Sequence, residues 1–325
     1  MKTVKHIQDI YISKDNKDNI YLAENGLYIR DVEIDAGLGE EVLIGHLSDI
    51  HLNYCNQRDF DEADPVVMST YENRHWCANG ETVVKAQRCF TFLEDADQIV
   101  LNGDTMDYLS HGSMELMQQE VWDKHPAVIA TLCGHEVARK MQGKVADPMS
   151  YEERLAILEK FWKHDIFYVS RLVKEKVLVI GMFNDLARYN EAQKQKLEAD
   201  LALARQKGYV VLIFAHEPLS TGNPLYQNFT AADAMLVGDS SVYPLNLYDG
   251  KIAGSDGSDA VTKEVYSLII NNADIIKGVF AGHVHNDMHV EITAKTYDGR
   301  DTVIPQYIHT ATAYDDGHLM RIVIK

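Results

Sequence analysis

"IIKGVFAGHVHND", residues 275–287, is apolar through Ala281 and then breaks into Gly282-His283-Val284-His285. A short run rich in Ile, Val and Phe reads as a buried strand, so the two histidines stand where strand gives way to loop. Two histidines alone settle little, and the question becomes which other ligating residues the chain delivers to the same place. "EVLIGHL" (41–47) runs on to Asp49 and His51, and "QIVLN" (98–102) to Asp104 and Asp107. "AVIATL" (127–132) leads to His135 and Glu136, and "YVVLIFA" (209–215) to His216. Five apolar strands therefore each stop at Asp or His. In α/β sheets the loops at the carboxyl ends of the strands converge on one edge, where ligands bind.

A sixth run, "KVLVIGM" (176–182), ends at Asn184 and Asp185. Between the strands lie helical patterns with identifiable ends. Ser150 and Glu153 form a capping box ahead of Leu155, Leu158 and Trp162; Asn190 and Gln193 open a second helix that Gly208 stops. Further helices are expected at about 81–95, with Val83, Phe90 and Leu93 on one side, and after Asp259 through Val265 and Leu268. This alternation predicts an α/β domain. No linker or repeat divides the chain, so a single domain over 1–325 is expected, with strands in 1–40, a motif core at about 42–290 and an antiparallel finish over 288–325 marked by Asp298-Gly299 and Asp316-Gly317 turns.

Composition narrows the class. At 325 residues and 46% hydrophobic, the chain can bury a sizeable core. Its 49 acidic against 31 basic residues give a net charge of -18, which disfavours nucleic acid as a partner. No apolar run reaches membrane-spanning length, and four cysteines fit a reducing cytoplasm better than a disulfide framework.

Asp and neutral His suit Zn, Mn or Fe, and there are enough of them here for two ions. An aspartate can bridge two metals about 3.5–4 Å apart, the separation used in two-metal hydrolases of phosphoesters. In order along the chain, Asp49-Ile50-His51, Gly103-Asp104-Thr105-Met106, Gly134-His135-Glu136, His216 and Gly282-His283-Val284-His285 resemble the motif set of the calcineurin-like metallophosphoesterases. That resemblance implies a four-layer α/β/β/α sandwich of two mixed sheets and two divalent ions, with hydrolysis of a small phosphomonoester or phosphodiester by a metal-bridging hydroxide. It would assign Asp49, His51 and His285 to one ion, His216 and His283 to the other, and Asp104 to the bridge. His135 would face the scissile phosphate, oriented by Glu136.

One position departs from the pattern. Gly134 stands where the family has an Asn ligand, so the second metal site is expected to be weak, and restoring Asn there to strengthen it. Cys133 is adjacent and a soft donor, but its side chain is expected to point the other way, so packing as a small core residue is favoured over coordination. The departure keeps open a catalytically weakened binding module, beside a protein phosphatase or nuclease of the same fold. Taken singly, Asp49 and Asp104 also fit helix caps after their strands. Asp107 reads as a support for a ligand rather than a ligand itself. His111, Asn184 and Asp185 read either as pocket lining or as ordinary loop residues. Two loop-like segments, 53–80 with Arg58 and Arg74, and about 219–260, are expected to wall the substrate site.

Overall fold

The computed structural model describes residues 2–3, 19–23, 25–74, 81–140, 145–185, 188–219, 259–285 and 287–325. Its strands are β1 (Lys2–Thr3), β2 (Asn19–Leu22), β3 (Tyr28–Ile34), β4 (Val42–Leu47), β5 (Gln98–Asn102), β6 (Ile129–Thr131), β7 (Tyr168–Val173), β8 (Val177–Met182), β9 (Val210–Ala215), β10 (Ile276–Ala281), β11 (Met288–Lys295), β12 (Asp301–Ile308) and β13 (His318–Ile324). The described helices are α1 (Gln57–Glu62), α2 (Pro65–Arg74), α3 (Glu81–Phe92), α4 (His111–Leu116), α5 (Gly134–Val137), α6 (Tyr151–Phe161), α7 (Glu191–Lys207) and α8 (Ala260–Ile270), with a π-helical stretch, Met117–Trp122, continuing α4. No helix among the described residues is long and apolar enough to cross a membrane.

Two mixed sheets face each other. The first runs β1-β2-β3-β13-β4-β5-β6 and the second β11-β12-β10-β9-β8-β7. Because successive strand residues point to opposite faces, neighbours in sequence divide between layers. Ile44, Val100, Val179 and Leu212 fill the space between the sheets. Leu47 and Leu101 face Phe90, Trp122, Leu158 and Trp162 on the outer side of the first sheet, whereas Ile180 and Ile213 face Leu197, Leu201 and Val265 beyond the second. The result is the expected α/β/β/α sandwich. Full burial of each such side chain contributes about 1.5–3 kcal/mol.

The capping boxes at Ser150 and Asn190 are present, and Gly208 closes α7 in the left-handed conformation. Two expectations are corrected. The antiparallel finish holds only for β11 and β12; β13 crosses to the first sheet, parallel to β3 and antiparallel to β4. There its alternate apolar residues serve both cores, with Leu319 outward and Met320 between the sheets. Segment 53–80 is not a plain loop, since α1 and α2 occupy much of it. Residues 75–80 and 220–258, and with them most of the second expected wall, lie outside the described residues.

β4, β5 and β6 are parallel to one another, as are β8, β9 and β10. Their carboxyl ends meet across the sandwich. Asn102 at the end of β5 donates through Nδ2 to Phe280 O at 3.0 Å, tying one sheet to the other beside the polar cluster.

Candidate metal centre

Asp49 and His51 follow β4, Asp104 follows β5, and His283 and His285 follow β10. All five take up left-handed backbone, with φ of 54°, 53°, 50°, 67° and 54°. For residues other than glycine such backbone costs on the order of 1–3 kcal/mol and persists where the surroundings over-determine it. Gly103 (φ +80°) and Gly282 allow the turns to close: a Cβ on Gly103 would lie 2.6 Å from His216 Cγ, and one on Gly282 1.8 Å from Ser48 Oγ.

The donor atoms of Asp49, His51 and His285 lie within 4.8 Å of one another. His285 Nε2 is 3.0 Å from Asp49 Oδ1, His51 Nε2 is 3.3 Å from His285 Nε2, and His51 Nε2 is 4.0 Å from Asp49 Oδ1. Ligands on a cation at about 2.0–2.2 Å are separated by such distances. The far side of each donor is committed elsewhere. Asp49 Oδ2 accepts from Ser48 Oγ at 2.6 Å and from the His283 N–H at 3.1 Å, leaving buried Oδ1 with no hydrogen-bond partner. His51 Nδ1 is 3.0 Å from Asp107 Oδ1, and His285 Nδ1 is 2.8 Å from Tyr314 Oη. A carboxylate on Nδ1 fixes the tautomer and turns the Nε2 lone pair inward.

Asp104 and His216 form the facing group. His216 Nδ1 donates to Asn102 O at 2.5 Å. Its Nε2, fully buried, lies 3.0 Å from Asp104 Oδ2 and 3.6 Å from Asp49 Oδ1 but has no hydrogen-bond partner. With Nδ1 holding a proton, Nε2 either takes a second proton or presents a lone pair to a cation. Burial opposes charge on His216, yet Asp104 and Asp49 outweigh it and push its pKa up to about 10. A ring that attracts a proton so strongly occupies a place where positive charge is wanted. His283 stacks edge-on to His216 at a centroid distance of 5.3 Å. Burial, and then His216, push its pKa down to about 4, so it is a neutral donor.

Two sequence expectations are overturned here. Glu136 does not orient His135. The short α5 turns its buried carboxylate back over the Asp104 loop, where it accepts from the N–H groups of Asp104 (3.2 Å), Thr105, Met106 (3.1 Å) and Cys133 (2.8 Å). Burial and the Asp104 charge push its pKa up to about 8. Glu136 thus shapes the loop that carries Asp104, and His135 is held by Asp107, whose O lies 2.8 Å and Oδ1 3.2 Å from Nδ1. Nor does Cys133 point away. Its sulfur lies within 4.8 Å of the Asp104 and His216 donors: Cys133 is still extended, but the chain turns directly into α5 at Gly134, so residues 133 and 134 do not point to opposite sides as strand neighbours would.

Asp107 also receives Arg74, through Nε at 2.8 Å and through Nη2, and Asn53 Nδ2 at 2.7 Å. Burial opposes its charge, but His135, His51 and Arg74 hold its carboxyl well below the ordinary range. Arg74 therefore reaches the site by way of Asp107. Asn184 clamps the backbone of Glu217 through both of its amide atoms, and Asp185 accepts from Tyr151 Oη at 3.0 Å. Arg58 and His111 meet at Glu62 on α1, at 2.8 and 3.0 Å, rather than at the Asp/His cluster. Sequence reasoning missed Ser48, Asn102 and Tyr314; only Ser48, adjacent to Asp49, carried any signal.

The family model of the calcineurin-like phosphoesterases matches residues 42–287. No protein of curated function matches the sequence. Among solved structures, a putative 5'-nucleotidase from Staphylococcus aureus aligns at 12% identity and TM-score 0.43, over 87% of this chain and 51% of that one. The chain thus spans about half of that protein's length. A dimetal phosphatase from Danio rerio aligns at 12% identity and TM-score 0.41, over 83% of this chain and 87% of that one. The phosphopantetheinyl hydrolase of Mycobacterium tuberculosis aligns at 11% identity and TM-score 0.36, over 84% and 91%. On the family match, which takes in every Asp and His of the cluster, the chain belongs to the calcineurin-like phosphoesterases.

Proposed function

We propose that this chain hydrolyses a small phosphomonoester or phosphodiester, with Asp49, His51 and His285 holding one divalent ion, His216 and His283 a second, and Asp104 shared between them. The observation that carries this reading is the pair of fully buried, unpartnered atoms, Asp49 Oδ1 and His216 Nε2, aimed 3.6 Å apart into one polar cluster. Left without a cation, both buried atoms would lack a hydrogen bond and rest on the attraction of neighbouring Asp and His groups alone. Bound ions would supply charge neutralisation for the phosphoryl oxygens and an activated water.

The protein's own groups complete the task. His135 Nε2 lies 3.9 Å from Asp104 Oδ2, while Nδ1 is held by Asp107. Burial opposes its charge, but Asp104 and Asp107 outweigh it and push its pKa up to about 9, which suits a proton donor to a leaving oxygen or a partner for phosphate charge. Arg74, anchored on Asp107, adds positive charge behind it. The net charge of -18 favours a small substrate over a nucleic acid, and the buried thiols of Cys55, Cys89 and Cys133 fit a reducing compartment.

The test is elemental analysis of purified protein, with turnover of p-nitrophenyl phosphate and bis-p-nitrophenyl phosphate before and after addition of Mn or Zn. About two ions per chain with turnover is the expected result, and the faster substrate separates monoesterase from diesterase. No ion and no rescue would overturn the reading in favour of a binding module.

A further inference from the structure

Gly134 removes a side chain from the second ion position, and the surrounding residues close the gap. A Cβ built on Gly134 would sit 3.0 Å from Asp185 Oδ1, so the carboxylate of Asp185 already reaches the place that a side chain at 134 would occupy. Tyr151 Oη, at the start of α6, donates to the other oxygen, Oδ2, at 3.0 Å and holds the carboxylate in that orientation.

Cys133 completes the replacement. Its sulfur is 1% exposed and belongs to two groups of donor atoms that each fall within 4.8 Å: Asp104, Cys133 and His216, and Cys133, Asp185 and Glu217. The sulfur is thus the shared vertex between the Asp104/His216 pair and the carboxylates of Asp185 and Glu217. His216 Nε2, fully buried and without a hydrogen-bond partner, lies in the first of these groups. These donors come from four different strand ends, after β5, β6, β8 and β9, so their meeting is set by the fold rather than by local sequence.

Resting on the two-ion reading above, we propose that the second ion position of this chain is completed by Cys133 Sγ and the Asp185 carboxylate in place of the missing side chain at 134. Sulfur is a soft donor, so this position selects thiophilic divalent ions, Zn or Fe(II), over Mg or Mn, which prefer all-oxygen surroundings. The thiol gives up its proton to solvent as the ion binds, and binding at this position tightens with rising pH. The sequence departure at 134 is then a change of metal preference, not a loss of the site.

Cobalt(II) titration of the metal-stripped full chain, followed by absorption and by elemental analysis, tests this independently of turnover. The expected result is a thiolate-to-cobalt charge-transfer band that saturates with one of two bound ions. It should vanish in Cys133→Ser and survive in Cys55→Ser and Cys89→Ser. In Asp185→Asn the band should remain while that ion's affinity drops about tenfold or more. If Cys133→Ser fails to fold, X-ray absorption at the zinc edge of the zinc-loaded wild type should show a sulfur neighbour at about 2.3 Å. Two cobalt ions with no thiolate band, a band that persists in Cys133→Ser, or zinc bound with no sulfur neighbour would overturn this proposal and leave the hydrolase reading standing. No bound ion in the wild type would overturn both.

Discussion

The two halves of the cluster are built on different plans. Around Asp49, His51 and His285 every residue matches the family pattern, and each donor has its far side fixed by a neighbour: Ser48 and the His283 N–H behind Asp49, Asp107 behind His51, Tyr314 behind His285. Around Asp104 and His216 one pattern residue is missing, and groups from two further strand ends, after β6 and β8, crowd into the gap. The first half is specified by residues at the ends of β4 and β10, which local sequence can spell out. The second half is specified by convergence, which only the folded chain reveals. On the proposal above, a ligand set can lose a member without losing its ion when neighbouring donors are already within reach.

Asp104 is where the halves join, so changing it should have the largest effect. Asp104→Asn leaves the shape but removes the negative charge shared by both ions. We expect turnover to fall on the order of a thousandfold, equivalent to about 4 kcal/mol of lost transition-state stabilisation, and metal content to drop in both halves. Steady-state kinetics and elemental analysis on one preparation check this. Loss confined to one ion would show that the halves are independent and break the comparison.

Asp107→Asn separates the halves, because Asp107 touches His51, His135 and Arg74 but no donor unique to the second group. Loss of such a supporting carboxylate lowers metal affinity or activity by about 10–100-fold. Folding stability should fall by about 1–3 kcal/mol, since the mostly buried Arg74 loses its counter-charge. Competition with a chelator should release the first ion earlier and leave the thiolate-bound ion in place. Release of both together would mean that Asp107 supports the whole cluster.

How much of this was legible in sequence follows the same division. The strand ends gave Asp49, His51, Asp104, His216, His283 and His285, because apolar runs have a length and a direction and their ends must meet. Segment 53–80 reads as loop in sequence, although the Asn56/Asp59 capping box and Pro65 at the first position of α2 signal helices; α1 has only six residues, too few for periodicity to appear. Adjacency pairs Glu136 with His135, but one turn of helix sends consecutive side chains in different directions, and the carboxylate meets the backbone of 104–106 instead. Strand alternation carried from Cys133 to Gly134 directs Cys133 away, but the chain turns there from extended backbone into α5. The left-handed backbone at five cluster residues has only a weak sequence signature, since Asp and His are enriched there among non-glycine residues yet mostly adopt other backbone.

The smallest expected effect is also the sharpest test of the second half. Sequence reasoning expects Gly134→Asn to restore a ligand and strengthen the second ion. In the folded chain the new Cβ would lie 3.0 Å from Asp185 Oδ1, held in turn by Tyr151, so the asparagine must displace one donor to supply another. The single variant should therefore change second-ion affinity by no more than about threefold, the exchange of one donor for another being worth well under 1 kcal/mol. Gly134→Asn combined with Asp185→Ala should recover the affinity that Asp185→Ala alone loses, a coupling that appears only if both side chains compete for one place. Isothermal titration of the four proteins with Zn closes the cycle. Additive effects of the two substitutions would mean that residues 134 and 185 do not share the position, and the second half would then owe its ion to Asp104, His216, His283 and Cys133 without Asp185.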